Sequence, residues 1–106
     1  MEITDNLERM LASGRDDPML RFGLGSGYFN EKEFARAIPH LESCIEQDPD
    51  YSAAYKLLGR SLLEEGELTA ARDVFEQGLA IAIAQRDKQA EREINSFLNK
   101  IRRLGS

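Results

Sequence analysis

The sequence predicts an all-α fold of two stacked helical hairpins, and three observations predict it. Residues 18–85 read as one 34-residue unit written twice: Leu24-Gly25 recurs as Leu58-Gly59, Ala37 as Ala71, and Leu41 as Phe75. Apolar residues within each unit return at three- and four-residue spacing, the period of a helix and not of a strand. Turn-forming residues punctuate these stretches at Gly14, Asn30, Asp48-Pro49-Asp50 and Gly66.

The first segment carries Ile3, Leu7, Met10 and Leu11 at i, i+4, i+7 and i+8, an apolar helical stripe that Gly14 is placed to end. Shifted by 34 these residues fall on Ala37, Leu41, Cys44 and Ile45, core positions of a second helix. Residues 1–17 therefore read as a half-unit capping the N-terminal end of a stack, whose end units otherwise expose an apolar face. Asp17 is the expected N-cap of the next helix, and Pro18 suits its first turn, where a missing N–H costs nothing. That helix should reach about Phe29. Gly23, Gly25 and Gly27 weaken it by roughly 1 kcal/mol each relative to alanine, so packing must compensate. A turn at Asn30-Glu31 leads to a helix over about 32–47, with Phe34, Ala37, Ile38, Leu41, Cys44 and Ile45 on one side and a kink expected at Pro39. Asp48-Pro49 ends it.

The second unit, 52–85, repeats the plan: Tyr55, Leu58, Gly59, Leu62 and Leu63, a turn at Gly66, then Leu68, Ala71, Val74, Phe75, Gly78 and Leu79. Only six of its 34 positions match the first unit, but they concentrate where two helices must touch. Gly25 and Gly59 are read as close contacts, with Ala37 and Ala71 facing them and Leu41 and Phe75 filling the space beyond. Residues 86–106 complete a single domain with a capping helix, over about 87–103, on the stripe Ala90, Ile94, Phe97, Leu98 and Ile101. Asp87 is its expected N-cap, and Lys100, Arg102 and Arg103 sit at its negative end.

With these anchors placed, the pattern resembles the tetratricopeptide repeat, a family of antiparallel helix pairs that wind into an α–α superhelix. The first unit matches at Leu24, Gly25, Tyr28, Ala37, Leu41 and Pro49, and departs at Arg21, where the family prefers an aromatic residue. The second matches at Tyr55, Leu58, Gly59, Leu62, Ala71 and Phe75, with Ile83 in the place of the usual proline, so its last helix is expected to run on toward Gln85. As a whole the chain resembles small bacterial proteins with two such repeats. The resemblance implies non-catalytic binding of a peptide or partner helix on a concave wall made by the first helix of each unit. Carried over position by position, the inward residues are Met19, Phe22, Ser26, Phe29 and Asn30 in the first unit, and Ala53, Lys56, Arg60, Leu63 and Glu64 in the second. Lys56 and Arg60 resemble the Lys-x-x-x-Arg element with which some members hold the terminal carboxylate of a peptide. The asparagines that complete that clamp are missing, Ser26 standing at one of their places.

Composition narrows the partners. The chain has 106 residues with a net charge of −5, divided as −6 over 1–50 (11 acids, 5 bases) and +1 over 51–106 (8 acids, 9 bases). An acidic chain without a long basic run is a poor nucleic-acid binder, because phosphate neutralisation supplies most of that affinity. The longest apolar run, 79–84, is too short to span a bilayer, and residues 1–5 lack the form of a signal peptide. A single cysteine makes no internal disulfide, so a cytoplasmic location is expected.

Other motifs are better explained by packing than by chemistry. Gly23-Leu24-Gly25-Ser26-Gly27 has Tyr28 where a dinucleotide loop needs glycine, and no strand precedes it. His40, Cys44 and Asp48 share a helical side, but a structural zinc site wants four ligands and Cys44 is assigned to the core. Nucleophilic use of Cys44 would need an accessible thiolate, and Glu64, Glu65 and Glu67 lie near a helix end in water. No catalytic residue, cofactor or metal is implied. The expected function is a protein-binding scaffold whose partner offers an acidic or C-terminal carboxylate to Lys56 and Arg60 and an apolar side chain to Phe22 and Phe29. The alternative is a weak homodimer that buries the apolar groove.

Overall fold

The polypeptide segments between turns each close into one helix. The computed structural model describes residues 2–105, in which α1 spans Glu2–Ala12, α2 Pro18–Asn30, α3 Phe34–Gln47, α4 Ser52–Glu64, α5 Leu68–Ala84 and α6 Lys88–Gly105. Among the described residues there is no strand, and no helix is long and apolar enough to cross a membrane. Each helix packs on the next, and α2 also touches α4, so the helices form two layers with α2, α4 and α6 in one of them.

Why the hairpins close as they do is visible at two glycines. A Cβ on Gly25 would stand 2.5 Å from both Cγ and Cδ2 of Leu41, and one on Gly59 would stand 2.5 Å from Cε1 of Phe75. The two contacts are 34 residues apart on both sides, so they are one contact made twice. Leu41 and Phe75 are fully buried, as are Ala37 and Ala71. The large side chains lie directly on the glycines and not beyond the alanines, which corrects the order expected from sequence. Gly78 makes a third close approach, 2.7 Å from Tyr55 Cβ to its would-be Cβ, with Ile94 of α6 at 3.4 Å.

All four helix-to-helix turns of the hairpin type use one backbone device. Gly14, Lys32, Gly66 and Arg86 have φ of 106°, 62°, 79° and 58°. The following N–H reaches back five residues: Arg15 to Met10, Glu33 to Tyr28, Glu67 to Leu62 and Asp87 to Ala82, at 2.8–3.2 Å. This Schellman closure satisfies carbonyls the helix end leaves open. It also moves the start of α3 from the expected Lys32 to Phe34, because Lys32 must be left-handed.

Several local expectations resolve in the same terms. The Asp17 carboxylate accepts from Leu20 N–H at 2.8 Å and caps α2, and Asp87 does the same for Ala90 N–H at 3.0 Å. α3 runs unbroken through Pro39, which lies with Ala35 on the exposed face, so the carbonyl that loses its donor points to water. α5 continues to Ala84, since Ile83 does not stop it as proline would. α6 consequently begins 36 residues after α4, whereas α4 begins 34 after α2.

The N-terminal helix packs inward with Leu7, Met10 and Leu11 of its expected stripe, but in its first turn Thr4 takes the place expected of Ile3. Ile3 is 72% exposed, while Thr4 is 3% exposed. Thr4 Cγ2 occupies the space a Cβ on Gly27 would need, at 2.4 Å, and Leu7 sits over Gly23. The Thr4 hydroxyl donates to Glu31 at 3.0 Å, so burying it leaves no unpaired group. A polar residue won the buried place because Gly27 leaves a space that a small branched side chain fills.

A polar network on the outer side ties α1, α2 and α3 together. Asp16 accepts two hydrogen bonds from Arg21, at 2.8 and 2.9 Å, and one from Gln47 at 2.9 Å, which hold its carboxyl down at about 2. Arg21 thus has a structural task where the second unit uses Tyr55, whose hydroxyl donates to the Pro49 carbonyl at 2.6 Å. Tyr28 donates to Glu8 and accepts from Arg36 at 2.9 Å. His40 stacks on Tyr28, its Nδ1 is 3.0 Å from the Arg21 guanidinium and its Nε2 3.6 Å from Glu8. Arginine can only donate, so Nδ1 accepts and the proton of the neutral ring is on Nε2. Burial lowers the His40 pKa, with Arg21 and Arg36 acting in the same direction and Glu8 opposing them.

Three outcomes follow from this packing. Gly59→Ala should destabilise the protein by about 1–2 kcal/mol despite its better helix propensity, because the fully buried Phe75 ring has nowhere to go. Gly105→Ala, with open space around it, should be neutral; urea midpoints measure both. Lys32→Gly should raise the midpoint by the equivalent of about 0.5 kcal/mol, since a left-handed lysine is strained where glycine is not. A His40 held neutral contributes stability above its unfolded pKa that is lost as pH falls through and below about 6.5. The urea midpoint should therefore drop between pH 7.5 and 5.5, and His40→Gln should flatten that part of the curve.

Candidate binding groove

The layer of α2, α4 and α6 carries the residues assigned to the inward wall. Packing of α3 against α4 and of α5 against α6 sets these three helices side by side. Their facing side chains then meet. The Arg60 guanidinium lies over the Phe29 ring at 4.8 Å from its centroid and near Phe97 of α6 at 5.4 Å. Lys56 Nζ is 2.5 Å from Glu93 Oε1, also on α6. Phe22 packs on Tyr51 at 5.1 Å between ring centroids, and Phe29 meets Phe34 edge to face at 5.2 Å.

The ten expected wall residues are not equivalent. Phe22, Ser26, Phe29, Lys56, Arg60 and Leu63 are half-buried; Asn30, Ala53 and Glu64 are exposed, and Met19 is 69% exposed. Three hollows of similar size are among those along the wall. One of about 430 Å³, between α1 and α2, is lined by Ile3, Leu7, Phe22 and Ser26 among others. A second, also about 430 Å³, lies around Phe29, Phe34, Arg60 and Glu64. A third of about 430 Å³ opens between α4 and α6, with Lys56, Arg60, Arg92, Glu93, Ser96 and Phe97 around it. The wall thus runs from an apolar end to a cationic one.

The α6 residues of the third hollow were missed by sequence reading. α6 does not keep the 34-residue register, so positional transfer stopped at α4. A signal was nevertheless there: Glu93 and Phe97 repeat the four-residue spacing of Lys56 and Arg60, as two adjoining helices need for paired contacts. Glu93 is held below the usual carboxylate range, first by the Lys56 hydrogen bond and then by that of Gln89. Phe97 also stacks on the core ring of Phe75, 5.2 Å away and nearly parallel.

Of the residues considered for chemistry, Glu64 borders the second hollow of the wall, and Cys44 and His40 do not. Cys44 is completely buried, and burial pushes its thiol up to about 11, which keeps it protonated at neutral pH. His40 is engaged with Arg21, Glu8 and Tyr28 on the outer side, away from the wall. Glu64, Glu65 and Glu67 are exposed around the α4–α5 turn.

Comparison with known proteins gives these features a family context. A family model described as tetratricopeptide repeat matches residues 28–90. A TPR repeat-containing protein of Pseudomonas aeruginosa is 52% identical over 99 residues, covering 93% of this chain and 94% of that one. A protein of Bordetella parapertussis, solved in solution, superposes with a TM-score of 0.83 at 42% identity over 95% of this chain and 88% of its own. A crystal structure of a tetratricopeptide repeat domain protein from Salinibacter ruber gives 0.76 at 26% identity, over 83% and 99%. The Gly25–Leu41 and Gly59–Phe75 contacts recur at the interval the two units share, the family model spans more than half of the sequence, and the chain belongs to the tetratricopeptide repeat family.

Proposed function

We propose that this chain is a non-catalytic adaptor that binds a segment of a partner protein along the wall of α2, α4 and α6. The partner segment places an apolar side chain against Phe22 and Phe29 and an acidic group at the cationic end near Lys56 and Arg60. The observation that carries this reading is the Arg60 guanidinium lying over both the Phe29 and the Phe97 ring, a cation beside two aromatics on an open wall. Half-buried aromatics beside arginine are the residue types that dominate binding energy at protein interfaces. The family's fold points the same way, since such modules mediate protein–protein interaction.

The chain's size limits what it can do. Its Cα atoms extend 44 × 28 × 19 Å, so a single segment on one wall makes a small interface of modest affinity. A second reading, burial of the wall in a homodimer, is favoured by one observation: Met19, at the apolar end, is 69% exposed. Light scattering over a hundredfold concentration range separates the two, a constant monomer mass excluding the dimer.

The test of the adaptor reading is selection from a random peptide library, followed by titration of the isotope-labelled protein with selected peptides. Chemical shifts should move on α2, α4 and α6, and Phe29→Ser with Arg60→Glu should reduce affinity at least tenfold while the helical circular dichroism is retained. Shifts confined to α3 and α5, or a selection that yields no binder, would remove the reading.

A further inference from the structure

We infer that the acidic group of the partner is held by Arg60 and Arg92, across the α4–α6 hollow, and that Glu93 keeps Lys56 out of that contact. This rests on the adaptor reading and names the chemistry of its cationic end. Four charged side chains surround the hollow, Lys56, Arg60, Arg92 and Glu93, three of them cations in a chain whose net charge is −5. A local excess of positive charge in an acidic protein selects an acidic partner at short range, where complementarity decides specificity.

The three cations are not equally available. Lys56 already has a carboxylate: Glu93 Oε1 is 2.5 Å from its Nζ, and the other Glu93 oxygen accepts from Gln89 at 3.2 Å. An incoming carboxylate at Lys56 meets a charge that Glu93 already neutralises and a neighbouring anion that repels it, so this cation yields little. Arg60 is different. Its guanidinium carbon lies over the rings of Phe29 and Phe97, while among the described residues its N–H groups have no hydrogen-bond acceptor or ion-pair partner. Arg92 is exposed on the same hollow and likewise carries no ion pair among the described residues.

A guanidinium held over aromatic rings with its N–H donors unpaired is positioned to meet a planar carboxylate with two parallel N–H donors. Glu93 lies close enough to feel Arg60, and its negative charge sets a limit on how much anion the hollow accepts. Glu64 stands on the other side of Arg60, with Lys32 on the same second hollow. The fit is therefore to a single carboxylate, from an aspartate or glutamate side chain or from a chain terminus. Lys56 and Glu93 act as a tie between α4 and α6 that keeps the hollow's two walls together.

The experiment uses the full chain, with isotope-labelled arginine side chains, and an octapeptide of alternating glutamate and leucine. Three further forms of the peptide are compared: amidated at its end, with glutamine for each glutamate, and with both changes. The Nε–H signals of Arg60 and Arg92 should shift with at least one carboxylate-bearing form and not with the form lacking every carboxylate. The amidated and glutamine forms distinguish a terminal from a side-chain source. Arg92→Gln, an exposed change that leaves the fold intact, should weaken binding about tenfold, the loss expected for a charge-assisted hydrogen bond. Lys56→Met should change it less than twofold, whereas Glu93→Gln should free Lys56 and tighten binding severalfold. An inert Arg92→Gln, or a Lys56→Met as damaging as Arg60→Gln, would overturn the assignment. If library-selected peptides bind the wall but no carboxylate form shifts either arginine, the carboxylate seat is wrong and the adaptor reading survives; if the library yields nothing, both fall.

Discussion

Two helices can lie close enough to share one core only if something small separates their axes. In this chain that place is held by Gly25 against Leu41 and by Gly59 against Phe75, where a single added carbon would stand 2.5 Å from the opposing side chain. The cost of glycine in a helix, roughly 1 kcal/mol at each site, is offset by burying a large side chain with no exposure. Every later feature depends on this approach. The spacing of α2 from α3, and of α4 from α5, sets which residues of the first helices are left facing outward, and so composes the wall.

The aromatic residues carry that constraint from core to surface. Phe75 presses on Gly59 and stacks on Phe97, Phe97 reaches Arg60, and Arg60 covers Phe29, which meets Phe34 edge to face. A residue of the buried hairpin contact is thus two contacts from the cation on the wall. The position of Arg60 is set by packing more than by charge, which is the condition for a binding group that loses little freedom when a ligand arrives. The Lys56–Glu93 pair works differently. It is a partly exposed ion pair, whose worth is small in stability but which decides which cations near it remain unengaged.

Charge is distributed with a similar division of labour. The N-terminal half is acidic, yet Glu8, Asp16, Asp17 and Glu31 are spent on hydrogen bonds that fasten α1 and the α1–α2 turn. The bases of the C-terminal half cluster on and near α6, where Arg92 borders the hollow and Arg102 and Arg103 lie in the last turn. Net charge describes what the chain meets at a distance; the local set describes what it can hold.

The helix order, the repeat interval, the caps at Asp17 and Asp87 and the glycine contacts were legible in the sequence, because each depends on residue type at a fixed local spacing. The overrun of α5 was legible too, from the isoleucine that stands in for proline at 83. What the sequence could not supply was the burial of Thr4 in place of Ile3, the left-handed Lys32 and the neighbours of Lys56. Thr4 displaced Ile3 from the interface because of the space that Gly27 leaves on another helix, and shape is absent from a hydrophobic pattern. Lys56 met Glu93, 37 residues away, because the long α5 shifted α6 out of the repeat interval. Local chemistry determined the helices; only the way they settled against one another decided which charges on the wall were left unmatched.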